Sequence, residues 1–215
     1  MEVQNSTFTE LQIPNERGGA IFFNSTVHGS LSLSNSMFHG NKARSGGALF
    51  AHGKGGTLHL QIMNCNFTKC AAETFGCAIL VGDHRNRAAT FNLIANFRNI
   101  RVHDSYGYQN RCDSVSLMII NGKVVTNDSS LRNNSRSAAG TLAVMNTGGN
   151  TDLIISRCTF FHNAVNTSEI PVMAHKREAG NVTIANCDMI SQKTGKDGIK
   201  LDEFEAILSL PSPKS

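Results

Sequence analysis

Hydrolysis of a glycosidic bond needs two carboxylates flanking it, so the acidic residues are the first to weigh. In the patterned part of the chain the aspartates are Asp83, Asp104, Asp113, Asp128, Asp152 and Asp188, while Glu169 and Glu178 stand in separate turns. Asp104 and Asp113 could meet across one loop. There is no Asp-Asp pair, no Gly-His-Gly string and no Gly-x-Ser-x-Gly nucleophile signature. A lyase would need a base and acids to hold a cation, and the acids are too sparse for that. The chain is therefore read as non-enzymatic. The competing reading is a polysaccharide lyase or hydrolase whose catalytic coils lie outside this piece.

Arg101, His103, Asp104, Tyr106 and Tyr108 are the candidate binding residues. Tyr106-Gly107-Tyr108 holds the only two tyrosines, set beside charged groups in the least regular part of the chain, residues 82–121. Aromatic rings beside polar groups suit sugar or protein contacts. Arg85, Arg87, Arg98, Arg101 and Arg111 cluster there too, but without an aromatic stacking series, and the net charge is only +4. No nucleic-acid partner is expected from so thin a basic footprint.

Asn-x-Ser/Thr sequons stand at Asn5, Asn24, Asn66, Asn127, Asn133, Asn166 and Asn181, and they are meaningful in a secreted chain. The cysteines are Cys65, Cys70, Cys77, Cys112, Cys158 and Cys187. Cys70 and Cys77 flank one loop and form the favoured bridge. Cys158 and Cys187 are either a second bridge or a ladder of buried thiols. No Cys-x-x-Cys is present and the histidines are scattered, so neither zinc nor any other cofactor is expected.

These residues hang on a repeat. Leu31 to Leu49 shows an alternating apolar run, a polar corner at Ser34-Asn35-Ser36, Phe38 with Asn41 three on, then Gly46-Gly47-Ala48-Leu49. Anchoring on Phe38, copies recur at Phe8, Phe67, near Ile100, Leu131, Phe160 and Met189, seven copies spaced by 29 to 33 residues. Period-2 alternation marks strands with one buried face, and paired glycines permit a tight bend or a close backbone approach. No copy can bury its own apolar face, so the copies must stack. The fold class is all-β: a parallel β-helix of about seven coils, each rising about 4.8 Å. Asn41, Asn134 and Asn163 share one register with Cys70, and stacked asparagines can form hydrogen-bonded ladders.

Gly18-Gly19-Ala20-Ile21, Gly46-Gly47-Ala48-Leu49, Phe38-His39-Gly40-Asn41 and Phe160-Phe161-His162-Asn163 resemble the repeats of the polymorphic outer membrane protein (Pmp) family. Weaker echoes cover most of residues 1–190. That resemblance implies a right-handed parallel β-helix of the pectin-lyase-like kind, surface display and binding, with no catalytic residue carried over. The cysteines and sequons depart from that family and point to a eukaryotic extracellular or cell-surface relative. Its partner would be a cell-surface or matrix protein or glycan.

Residues 1–194 make the repeat domain and 195–215 a C-terminal cap or tail, in which Leu201 to Leu208 has the spacing of a short amphipathic helix. No stretch is apolar enough to span a membrane, and no signal-peptide core stands in the first 30 residues. Met1 to Ser6 aligns onto Leu31 to Ser36, so further coils are expected on the N-terminal side of a longer parent protein.

Overall fold

The computed structural model describes residues 1–82, 92–107, 117–120, 123–132, 134, 142–145, 153–161, 172–175, 181–190, 199–202 and 205–209. They form a parallel β-solenoid, with strands pairing to their equivalents in adjacent coils. The first face has eight strands: Glu2–Gln4, Gly29–Ser34, Thr57–Met63, Asn92–Arg98, Lys123–Asn127, Leu153–Ser156, Asn181–Ala185 and Glu205–Ser209. The second has seven short strands: Thr7–Thr9, Met37–His39, Asn66–Thr68, Arg101–His103, Ser130–Arg132, Thr159–Phe161 and Asp188–Ile190. The third has four, Gln12–Arg17, Lys42–Ser45, Ala71–Phe75 and Tyr106–Gly107. The fourth has seven: Ile21–Ser25, Leu49–Gly53, Ile79–Val81, Leu117–Ile120, Leu142–Met145, Val172–His175 and Ile199–Asp202. Four coils thus show all four sides, and three more show three.

Alternation drives this arrangement. In Thr57–Met63, Leu58, Leu60 and Ile62 are buried while His59 and Gln61 are exposed, so one face of each strand fills the interior. Register then aligns like with like. Leu33 pairs with Ile62, Ile62 with Phe97, Phe97 with Thr126, Thr126 with Ile155 and Ile155 with Ile184, and all are buried. On the second face Phe8, Phe38 and Phe67 stack with ring centroids 4.9 and 4.6 Å apart and nearly parallel planes. Each buried ring contributes about 1.5–3 kcal/mol of hydrophobic stabilisation.

The fourth coil differs from the expected alignment. Phe67 pairs with Val102 and Val102 with Leu131, so the anchor is Val102 rather than Ile100. Ile100 is buried as well, but it occupies the register of Cys65 and Ser129.

In the first two coils the paired glycines divide their labour, and in the third Cys77 stands at the second position. Gly18, Gly46 and Gly76 have φ of +69°, +62° and +60°, where glycine bends the chain at low cost. The second position needs space instead: a Cβ on Gly47 would lie 2.2 Å from the Cys77 carbonyl oxygen and 2.5 Å from that of Ala71.

The C-terminal helix is not formed. Ile199–Asp202 pairs with Val172–His175, and Glu205–Ser209 pairs with Asn181–Ala185, extending two faces of the solenoid. The apolar spacing from Leu201 to Leu208 fits strands whose open edges the last coils offer for pairing, and tertiary pairing overrides local periodicity.

The bridge expected between Cys70 and Cys77 is also absent: both are free thiols, as are Cys65, Cys158 and Cys187. Cys70 belongs to the main interior, whereas Cys77 packs on Ala72 in a separate small cluster. Their side chains are thus directed into different environments.

Candidate functional site

Two left-handed corners bring the candidate residues to the surface. The first separates the first and second faces at Asn5, Asn35, Asn64, Asn99, Asp128, Arg157 and Asn186, with φ between +48° and +53°. Asparagine and aspartate tolerate this region because their short side chains bond locally. The second separates the second and third faces at Glu10, Gly40, Lys69 and Asp104, with φ between +53° and +64°.

Arg101, His103, Asp104 and Tyr106 wrap around that second corner in the fourth coil. Arg101 is exposed and Val102 buried, which puts Arg101 on the outer side of the second face. His103 shares its register with His39, Thr68 and Arg132. Asp104 is exposed at the corner, Ser105 is buried, and Tyr106 emerges on the third face, 37 % exposed. The backbone is held on both sides: Asp104 N donates to the Arg132 carbonyl at 3.0 Å and Tyr106 N to the Cys70 carbonyl at 3.0 Å. Tyr108, and Asp113 across the same loop, lie outside the described residues.

Asn134 supports this corner from the coil below. Its Oδ1 accepts from Ser105 N at 3.0 Å and its Nδ2 donates to the Val102 carbonyl at 3.0 Å, with Asn134 itself buried. Asn41 repeats the brace in the first coil, accepting from Leu11 N at 3.1 Å and donating to the Phe8 carbonyl at 3.0 Å. Asn41 and Asn134 do not stack on one another, because Cys70 and Ser105 stand between them in register, and each bonds to the backbone. Asn163 lies outside the described residues. The asparagine ladder lies at the other corner: Asn64 Nδ2 donates to Asn35 Oδ1 at 3.0 Å, and Asn99 Nδ2 to Asn64 Oδ1 at 2.9 Å. The sign of this ladder in the sequence is an Asn, Asp or Arg three residues before each interior anchor.

Where the ladder changes chemistry it becomes ionic. Arg157 Nε and Nη2 donate to the two Asp128 oxygens at 2.6 and 3.0 Å, and Arg98 Nε lies 3.9 Å from Asp128. The hydrogen bonds from Arg157 hold the Asp128 carboxyl below the usual carboxylate range. It is an ionised strut and unsuited to donate a proton.

Among the described residues no group of three or more His, Cys, Asp or Glu is arranged to hold a metal ion, and no helix is long and apolar enough to cross a membrane. Cys70 is pushed up to about 12 by burial. The neighbouring Cys187 raises the Cys158 thiol, and Cys158 in turn lowers that of Cys187. The first proton therefore leaves this pair more readily than the second. Cys65, Cys158 and Cys187 share their register with Ser6, Ser36 and Ser129, and each donates to the carbonyl two residues before it, as those serines do.

The sequons fall in different settings. Asn5 and Asn24 are exposed. Asn66 and Asn127 are half-buried, and their Oδ1 atoms accept from Thr68 Oγ1 at 3.0 Å and Ser156 Oγ at 2.6 Å. Asn133 and Asn166 lie outside the described residues, and Asn181 starts a first-face strand. Asn150-Thr151-Asp152, the Asn-Thr-Asp string of pectin-degrading hydrolases, stands in the chain. It also lies outside the described residues.

Family models, curated proteins and solved structures give no match to this chain.

Proposed function

We propose that this chain is a non-enzymatic binding module of the extracellular space or cell surface. In this reading it is an adhesive β-solenoid akin to the Pmp-type repeats, and its partner is a matrix or cell-surface glycan or protein. The observation that carries the reading is the stripe of Arg101, Asp104 and Tyr106 on one coil, which offers a cation, an anion and an aromatic ring to one ligand. The flat outer side of the first face supports it as well, with Ser30, Ser32, Ser34, His59, Gln61 and Asn96 between the buried positions. Such a surface makes many hydrogen bonds without concentrating charge. A polysaccharide-cleaving enzyme is the second reading, and Asp152 within Asn150-Thr151-Asp152 is the residue that favours it.

The test is binding of the full chain to immobilised matrix glycans and to cell surfaces, beside a variant carrying Arg101→Ala and Tyr106→Ala. Saturable binding that falls tenfold or more in the variant is the expected result. Binding that is absent, or equal in both, overturns the assignment of the site. Release of reducing ends or unsaturated uronides from a polysaccharide, abolished by Asp152→Asn, would establish the enzyme.

A further inference from the structure

We infer that Asn24 is an N-glycan attachment site and that Phe22 packs the first sugar of that glycan. The inference rests on the reading of the chain as one that passes through a secretory compartment.

The sequon Asn24-Ser25-Thr26 closes the strand Ile21–Ser25. Ile21 and Ser25 are buried and Phe23 packs against the interior, so Phe22 and Asn24 point outward together. Residues i and i+2 of a strand stand about 6.5–7 Å apart on the same side. A hexosamine linked to Asn24 is wide enough to reach the ring.

The ring is unusually available. Phe22 is 54 % exposed, whereas Phe50, its register partner in the next coil, is buried. The two rings stack at 5.4 Å with planes 6° apart, so Phe50 fixes the plane of Phe22 from one side. Asn24 is likewise exposed while its register partner His52 is buried. Ile21–Ser25 is the edge strand of this face, which leaves the Phe22/Asn24 pair open to solvent. The face of an N-acetylglucosamine carries C–H groups that sit well on an aromatic ring, and covering the ring removes apolar surface from water.

The other described sequons lack this pairing. The Asn66 and Asn127 side chains are half-buried and hydrogen-bonded, and Asn5 occupies a left-handed corner followed on the outer side by Thr7.

Chemically, Nδ2 of Asn24 attacks the anomeric carbon of a lipid-pyrophosphate-linked oligosaccharide. The anomeric C–O bond breaks, the lipid pyrophosphate leaves with that electron pair, and one amide proton passes to a base of the transferase. Thr26 supplies the hydroxyl that the sequon requires.

The test begins with the full chain secreted from eukaryotic cells, with occupancy at each Asn read by mass spectrometry after enzymatic deglycosylation in heavy-oxygen water. Asn24 should be occupied in more than half of the molecules, and Thr26→Ala should abolish this while leaving Phe22 in place. Thermal unfolding then compares glycosylated and deglycosylated protein. The glycan should raise Tm by a few degrees, and Phe22→Ala should remove that gain. Should Phe22→Ala not fold, Phe22→Leu keeps an apolar contact to Phe50 but removes the flat ring, and the gain should still vanish. A bare Asn24 in the secreted, folded chain overturns the site, and an undiminished gain in the Phe22 variants overturns the role of the ring. Protein from its natural source separates the two layers of the argument. Bare sequons there, together with Phe22-dependent stabilisation in the secreted chain, would refute the secretory reading and leave the local chemistry standing.

Discussion

The Asn99 side-chain amide donates to Oδ1 of Asn64 at 2.9 Å, across a chain separation of 35 residues. Asn64 in turn donates to Asn35, so it is the middle rung of a ladder and also sits at φ +52°. Asn64→Ala loses two exposed side-chain hydrogen bonds and meets the left-handed penalty, for about 1–2 kcal/mol in all. Asn64→Gly loses only the bonds and should cost about half as much. Urea denaturation of the two variants checks the order, and equal losses would remove the left-handed part of the explanation.

The glycine positions make a sharper contrast. Gly47→Ala drives a Cβ to within 2.5 Å of two backbone carbonyl oxygens of the next coil, and neither can swing away like a side chain. It should cost about 3 kcal/mol or more or prevent folding, as overpacking at rigid backbone does. A Cβ on Gly55 meets only the Thr26 carbonyl oxygen, at 3.7 Å. Gly55→Ala should be neutral or stabilising by about 0.4–1 kcal/mol, through a less disordered unfolded chain. Circular dichroism melts of both variants decide this.

Asn134 is the residue on which the Arg101–Tyr106 stripe depends without belonging to it. Asn134→Ala removes its bonds to Ser105 and Val102 and leaves two buried backbone groups unpaired, for about 1–3 kcal/mol. Amide hydrogen exchange should quicken at Ser105 and Tyr106, with little change at the Phe38 coil. A uniform loss of protection throughout the chain would contradict a local brace.

Asp128 sets an acid limb. Its carboxyl is held below its ordinary value of 3.8 by Arg157, so the ionised form favours the folded state. That contribution is fully present above the ordinary value and disappears as pH falls through the lower folded one. The pair is exposed, so added salt weakens it. Asp128→Asn should lower Tm at neutral pH and low salt, and the gap from the parent chain should close in strong acid. A gap that persists there would assign the loss to backbone conformation.

Cys70 sets an alkaline limb of the opposite sense. Burial raises its thiol from 9.0 to about 12, so the folded state holds the proton longer than the unfolded chain. Its contribution is intact below the ordinary value and declines as pH rises from there toward about 12. Cys70→Ala should flatten the fall in Tm above about pH 9. Cys65, Cys70, Cys77, Cys158 and Cys187, all buried and free, should resist alkylation at neutral pH until denaturant is added.

The coil pattern was legible because it is written twice, once in period-2 alternation and again in a period near 29 residues. Phe8, Phe38, Phe67 and Phe160 identify the second face without any coordinates. The fourth coil was read two residues early because it replaces phenylalanine with valine, and Ile100 is equally apolar and equally buried. Leu201 to Leu208 misled because four apolar positions fit a helix face as well as a pair of short strands, and only the waiting edges of the preceding coils discriminate. The corner ladder escaped notice because its residue types vary: Asn, Asp and Arg all occupy one backbone conformation. The candidate stripe could be named as a group, but its wrapping around a corner and its support by Asn134 are relations between coils.

The hydrogen bonds that join coils, such as Asn5 N to Ser34 O and Asp188 N to Cys158 O, run along the stacking direction. This gives the molecule a mechanical character. Tension applied along the rod loads one coil boundary at a time, so force would peel the structure stepwise and spare the coils beyond the break. Each step frees one repeat, about 29 residues or roughly 100 Å of extended chain. A tether built this way lengthens in instalments, holding both its ends while it yields.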